Sequence, residues 1–80
     1  MTESEVYSAL NEIFADVFIR DDIRLTAGTT ADEIEGWDSF KQIEIIMGVE
    51  ERLGVKLETQ EIDGLRCVGD LANVILRKTA

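Results

Sequence analysis

The side chain best placed for chemistry is the hydroxyl of Ser39, within Gly36-Trp37-Asp38-Ser39-Phe40. A serine nucleophile needs an adjacent base, and the chain contains no histidine. Its one cysteine, Cys67, therefore has no histidine partner, and no zinc spacing occurs. No glycine-rich phosphate loop followed by Lys and Ser or Thr is present. Asp21-Asp22 lacks the alternating carboxylates of a calcium loop. No catalytic residue and no metal ligand are assigned on this basis. The chain reads as something other enzymes act on, not as an enzyme itself.

Two roles for Ser39 follow from its position. Asp and Ser both cap helix starts, and Ser39 with Gln42 has the spacing of a capping box. Yet two capping residues in a row are redundant. If Asp38 caps, Ser39 is free for modification. A phosphate ester there would meet helix N–H groups and the positive end of the dipole. Asp38 and Glu35 oppose it by charge. Spacing alone leaves both roles open.

The elements that must position Ser39 are helical. Residues 3 to 18 carry Val6, Leu10, Ile13, Phe14, Val17 and Phe18 at helical spacing, a core-facing stripe. Thr2 and Glu5 have capping-box spacing before it. Residues 19 to 37 read as a long connection, with a polar break at Arg20-Asp21-Asp22 and a turn-rich Thr26-Ala27-Gly28-Thr29-Thr30. Leu25 and Ile34 are expected to pack on the core, with a short helical turn near residues 30 to 35. The second helix is expected from Asp38 or Ser39 to Leu53, closed by Gly54. Val55 and Leu57 then alternate with charged residues. Thr59 is expected to cap one short helical turn, and the last helix spans about Val68 to Arg77. Val68, Leu71, Val74 and Ile75 supply its apolar face. The expected fold is all-α: a small four-helix bundle of three main helices and one short one. A long loop joins the first two helices.

The second helix has more apolar surface than a stripe of about 100° requires. With Phe40 at zero, Ile45, Ile46, Val49 and Leu53 fall at roughly 140° to 240°, and Ile43, Met47 and Phe40 at roughly 300° to 360°. The first set is the core candidate. The second is flanked by Glu50 on one side and by Glu44 and Glu51 on the other, the composition of a binding surface. Burial of both strips between neighbouring helices is the alternative. Gly48 interrupts this helix, and close packing is the only account of it.

Composition narrows the function classes. Eighty residues suggest a single domain, 1–80, with one core. Eight Lys and Arg against seventeen Asp and Glu leave a net charge of −9. Such a surface repels nucleic acid and anionic lipid and favours basic partners. One cysteine allows no internal disulfide, which fits a reducing compartment. No long apolar run or signal segment is evident, so no membrane insertion and a cytoplasmic location are expected.

Glu35-Gly36-Trp37-Asp38-Ser39-Phe40 is followed by Ile43-Glu44-Ile45-Ile46-Met47 and Glu50-Glu51-Arg52-Leu53-Gly54-Val55. With Val68-Gly69-Asp70-Leu71, this resembles the acyl carrier protein family over roughly residues 3 to 76. The resemblance implies a monomeric carrier bearing 4'-phosphopantetheine, derived from coenzyme A, on Ser39. Asp38 matches the acid beside the attachment serine, which helps place the metal and the arm during transfer. A phosphopantetheinyl transferase would install the arm, using magnesium. The terminal thiol would hold acyl groups as thioesters, in fatty acid or polyketide biosynthesis. Acyl-transferring, ligating or condensing enzymes with basic patches would be the other partners. Phe40, Ile43 and Met47 match apolar contacts; Glu44, Glu50 and Glu51 match acidic recognition positions. Leu57 and Leu65 match positions that help line the opening for the acyl chain, and Leu57 joins the partner-recognition set. The alternatives are an aminoacyl or peptidyl carrier of the same fold, or an unmodified acidic helical interaction module.

Four residues depart from the family pattern. Phe40 stands for Leu, Lys41 and Arg52 replace acids, and Cys67 occupies a position where Ser or Thr caps the last helix. Cys67 reads as a buried small residue. Together the departures point to a specialised rather than a housekeeping carrier.

Overall fold

Thr2 and Glu5 start the first helix by reciprocal bonding. The Glu5 N–H donates to Thr2 Oγ1 at 3.2 Å, and the Thr2 N–H donates to Glu5 Oε1 at 2.8 Å. The helix, α1, runs Glu3–Phe18. A computed structural model describes residues 1–20 and 22–79. It continues with a short 3-10 turn at Ala31–Glu33, then α2 (Ser39–Leu53), α3 (Thr59–Asp63) and α4 (Val68–Thr79). No strand occurs among the described residues. Nor is any described helix long and apolar enough to cross a membrane.

The core is the meeting of the predicted stripes. Val6, Leu10, Ile13 and Phe14 from α1 pack with Ile45, Ile46 and Val49 from α2 and with Val68, Leu71, Val74 and Ile75 from α4. Complete burial of a side chain of this size contributes about 1.5–3 kcal/mol, so this cluster is the main source of stability. Val17 and Phe18 are only half-buried at the end of α1. Gly48 has its explanation here. A Cβ at that position would lie 3.0 Å from Ile13 Cγ2, so its absence lets α1 and α2 approach closely.

Two departures from the family pattern serve this α1–α2 contact. The last turn of α1 carries no basic residue. Lys41 of α2 supplies one, its Nζ donating to the Val17 carbonyl at 3.2 Å, where a cation complements the helix dipole. Arg52, near the other end of α2, pairs with Glu12 at 3.6 Å.

The long loop is anchored at both ends and is used as a cap. Ile34 is buried, Leu25 half-buried, and the Leu25 N–H donates to the Asn11 side chain at 3.3 Å. Asp21, half of the Asp21-Asp22 pair, lies outside the described residues; Asp22 pairs with Arg20 at 3.0 Å. Thr29 is buried, and its Oγ1 accepts the Thr26 N–H at 2.9 Å. The carbonyls of this turn then receive the first N–H groups of α4: Val68 N to Thr29 O at 2.8 Å, and Gly69 N to Ala27 O at 2.9 Å. A helix start leaves such donors without intrahelical partners. Because loop carbonyls take two of them, Cys67 can occupy the cap position without a capping oxygen in its side chain. Gly69 fits this strap: a Cβ there would stand 2.7 Å from the Ala27 oxygen.

Two local expectations need correction. The short helix α3 begins at Thr59, but its N-cap is Glu58, whose N–H donates to Glu61 Oε1 at 2.9 Å. α4 continues past Arg77 to Thr79, where Thr79 Oγ1 donates to the Ile75 carbonyl at 2.9 Å.

Candidate functional site

Gly36 adopts φ +88°, a left-handed conformation that favours glycine, and delivers the chain to Trp37. Asp38 is the N-cap of α2, its Oδ1 accepting the Lys41 N–H at 3.0 Å. Ser39 is therefore the first helical residue, exposed and not needed as the cap. Gln42 does not complete a capping box with Ser39. Its Oε1 instead accepts the Trp37 Nε1–H at 2.8 Å.

An open cavity of about 390 Å³ adjoins Ser39. Trp37, Gln42 and Ile43 line one side, and Leu65, Cys67 and Leu71 line the other. That volume lies within the usual range for small-ligand sites. Cys67 is half-buried on this wall, not a buried packing residue as its sequence context suggested. Leu65 was legible in the sequence through the family resemblance. Trp37, Gln42 and Leu71 were not singled out for the cavity, because nothing local distinguishes a cavity wall from a core stripe.

The second apolar strip of α2 is exposed: Phe40 by 77%, Ile43 by 57% and Met47 by 60%. These values exclude burial of both strips. Glu44 and Glu51 are also exposed, with Glu44 Oε2 3.5 Å from Lys41 Nζ. Glu50 differs from them. It is half-buried, and its Oε2 accepts the Leu57 N–H at 3.0 Å, holding the turn after α2. Leu57 itself is a correction. It is 6% exposed and belongs to the core, because the extended Val55-Lys56-Leu57 segment turns it inward while Lys56 faces solvent. It neither joins the exposed strip nor lines the cavity beside Ser39.

The family model for the phosphopantetheine attachment site matches residues 8–75. The acyl carrier protein of Clostridium perfringens (strain SM101 / Type A) is 30% identical over 74 residues, spanning 92% of this chain and 97% of the relative. The chain belongs to the acyl carrier protein family. Its function is that of a phosphopantetheine-bearing acyl carrier, which favours the acyl alternative over the other two. An acyl carrier protein of Thermosynechococcus vestitus is 30% identical over 80 residues, covering 100% of this chain and 99% of its own. The fold agrees with the solution structure of a holo acyl carrier protein from Geobacter metallireducens. The TM-score is 0.87 at 36% identity, over 92% of this chain and 85% of that one.

The residues present fit a phosphopantetheine group. An exposed hydroxyl, released from capping by its neighbour, stands at a helix start and beside a largely apolar cavity. The hydroxyl offers an attachment atom, and the start of α2 favours the phosphate.

Proposed function

We propose that Ser39 is the attachment point of the arm and that residues 1–80 act as one carrier domain. The observation that carries this reading is the division of labour between Asp38 and Ser39. A hydroxyl committed to the cap would be restrained, whereas that of Ser39 is free to enter another enzyme's active site. The chain is then the substrate of a phosphopantetheinyl transferase, not a catalyst. No histidine is available as a base, so the transferase must activate the hydroxyl. Asp38 beside it is the acid that helps place the transferase's metal ion.

When bound, the group supplies a terminal thiol that holds an acyl chain as an activated thioester. The protein's residues present that thioester to successive enzymes. Phe40, Ile43 and Met47 provide an adaptable apolar contact, rimmed by Glu44 and Glu51 for basic patches on acyl-transferring, ligating or condensing enzymes. The net charge of −9 supports fast, salt-sensitive encounters in the cytoplasm with such partners. Phe40 at the head of the strip supports a carrier specialised for its own partner set; Lys41 and Arg52 carry less of that argument, since both bind α1.

Coexpression with a broad-range phosphopantetheinyl transferase tests the reading by intact mass. One phosphopantetheine mass is expected on the wild type and none on Ser39→Ala. A folded wild-type chain left unmodified by active transferase would sink it.

A further inference from the structure

We propose that Trp37 and Gln42 form a positioning pair for the arm. The indole fixes the Gln42 amide so that its nitrogen donates to an acceptor oxygen of phosphopantetheine in the cavity beside Ser39. The inference rests on the attachment at Ser39 proposed above.

The orientation of a glutamine amide is ordinarily ambiguous. Here it is determined, because an indole N–H can only donate. Trp37 Nε1 lies 2.8 Å from Gln42 Oε1, so the amide oxygen must face the indole. The indole is itself held in place. Its ring sits edge-on to the fully buried Phe14 at 5.1 Å and to Phe18 at 6.4 Å. Gln42 thus has its oxygen pinned by a ring that the core pins in turn.

Its NH2 group is left over. Among the described residues the Gln42 amide nitrogen makes no protein hydrogen bond, and it is not a buried unpaired atom, so it stands open to solvent. The side chain is half-buried and lines the cavity together with Ser39, Ile43, Leu65 and Leu71. An acceptor brought to it replaces water, a modest net gain that fixes where the arm lies. Ser39 and Gln42 are three residues apart on α2, a spacing that puts side chains on one helix face. The arm carries amide carbonyls and a hydroxyl along its length, whereas a saturated acyl chain carries no acceptor. Gln42 is therefore suited to hold the arm rather than the far end of the cargo. A pre-oriented donor also loses little side-chain freedom on making this bond.

Nuclear magnetic resonance of the full chain tests this, after intact mass and peptide mapping have located the arm. In wild-type holo protein the Gln42 side-chain amide resonances should shift from their apo positions. The arm should show nuclear Overhauser contacts to Gln42, Trp37 and Leu71. Gln42→Glu keeps an acceptor for the indole but removes the donor, and Gln42→Met removes both without adding charge. Both variants should accept the arm at Ser39 yet lose its contacts to Trp37 and Leu71. The indole N–H should remain hydrogen-bonded in Gln42→Glu, read as slow exchange with solvent, which separates arm positioning from support of Trp37. Unchanged Gln42 resonances in wild-type holo protein, or arm contacts retained in both variants, would overturn the inference while leaving Ser39 intact. Failure of the arm to attach at Ser39 would overturn both proposals.

Discussion

Asp38 and Ser39 are neighbours with different tasks, and their substitutions should separate. Asp38→Ala removes the carboxylate that accepts the Lys41 N–H and should cost about 1 kcal/mol in chemical denaturation. Ser39→Ala should leave stability within about 0.5 kcal/mol, since the cap is intact. A larger loss for Ser39→Ala would return that hydroxyl to a capping role. The same separation applies among the acids of α2. Glu50→Ala strands the half-buried Leu57 N–H and should cost about 1–3 kcal/mol. Glu44→Lys and Glu51→Lys should change stability by less than about 0.5 kcal/mol while weakening partner binding. Equal stability losses at all three positions would contradict the structural role given to Glu50.

At the scale of elements, α1 ends on an unusual residue. Ile19 is its C-cap at φ 54°, ψ 48°, in the left-handed region, and its side chain is 87% exposed. A β-branched residue is disfavoured there, and little burial offsets the strain. Ile19→Gly should therefore raise stability by about 1 kcal/mol, read from the denaturation midpoint. A loss instead would mean that the Ile19 side chain supports the loop. The other helix ends follow ordinary rules: Gly54 closes α2 at φ 67°, with its N–H on the Glu50 carbonyl. The start of α4 is the exception, because the loop after α1 supplies its backbone acceptors from far back in the chain.

Across the whole molecule, several carboxylates bind more strongly when ionised. Glu5 lies below its ordinary pKa of 4.5 because the Thr2 backbone N–H and then the Thr2 hydroxyl bond to it. Glu61 lies below 4.5 through the Glu58 backbone N–H and then Lys78, which ties α3 to α4 at 3.0 Å. Asp22 lies below 3.8 through its bond with Arg20. A folded-state pKa below the unfolded value gives stability that is full above the unfolded value. It is lost as pH falls through the folded one. The stability gap between wild type and Glu61→Gln should thus be widest near neutrality and close as pH falls below 4.5. A gap that widened on acidification would refute the assignment. The comparison between the two proteins also removes the opposing relief of charge repulsion that protonation brings to a chain of net charge −9.

Local rules were enough for much of this protein. The periodicities of residues 3 to 18, 39 to 53 and 68 to 77 determined the helices and most of the core, because a buried helix face repeats every three to four residues. Thr2 with Glu5, and Gly54, were legible as termini for the same reason: capping is local chemistry. The absence of histidine removed the usual base for a serine nucleophile at Ser39. The acidic flanks already marked the Phe40, Ile43 and Met47 strip for exposure; the tertiary structure decided that no neighbouring helix covers it, since periodicity gives an angle and not a neighbour. It also separated Glu50 from Glu44 and Glu51, and moved Leu57 into the core, because an acceptor seven residues away and the turn between are not written in spacing. The cavity beside Ser39 joins residues from two distant stretches, 31 to 43 and 65 to 71. Such a space exists only after α2 and α4 have both packed against α1.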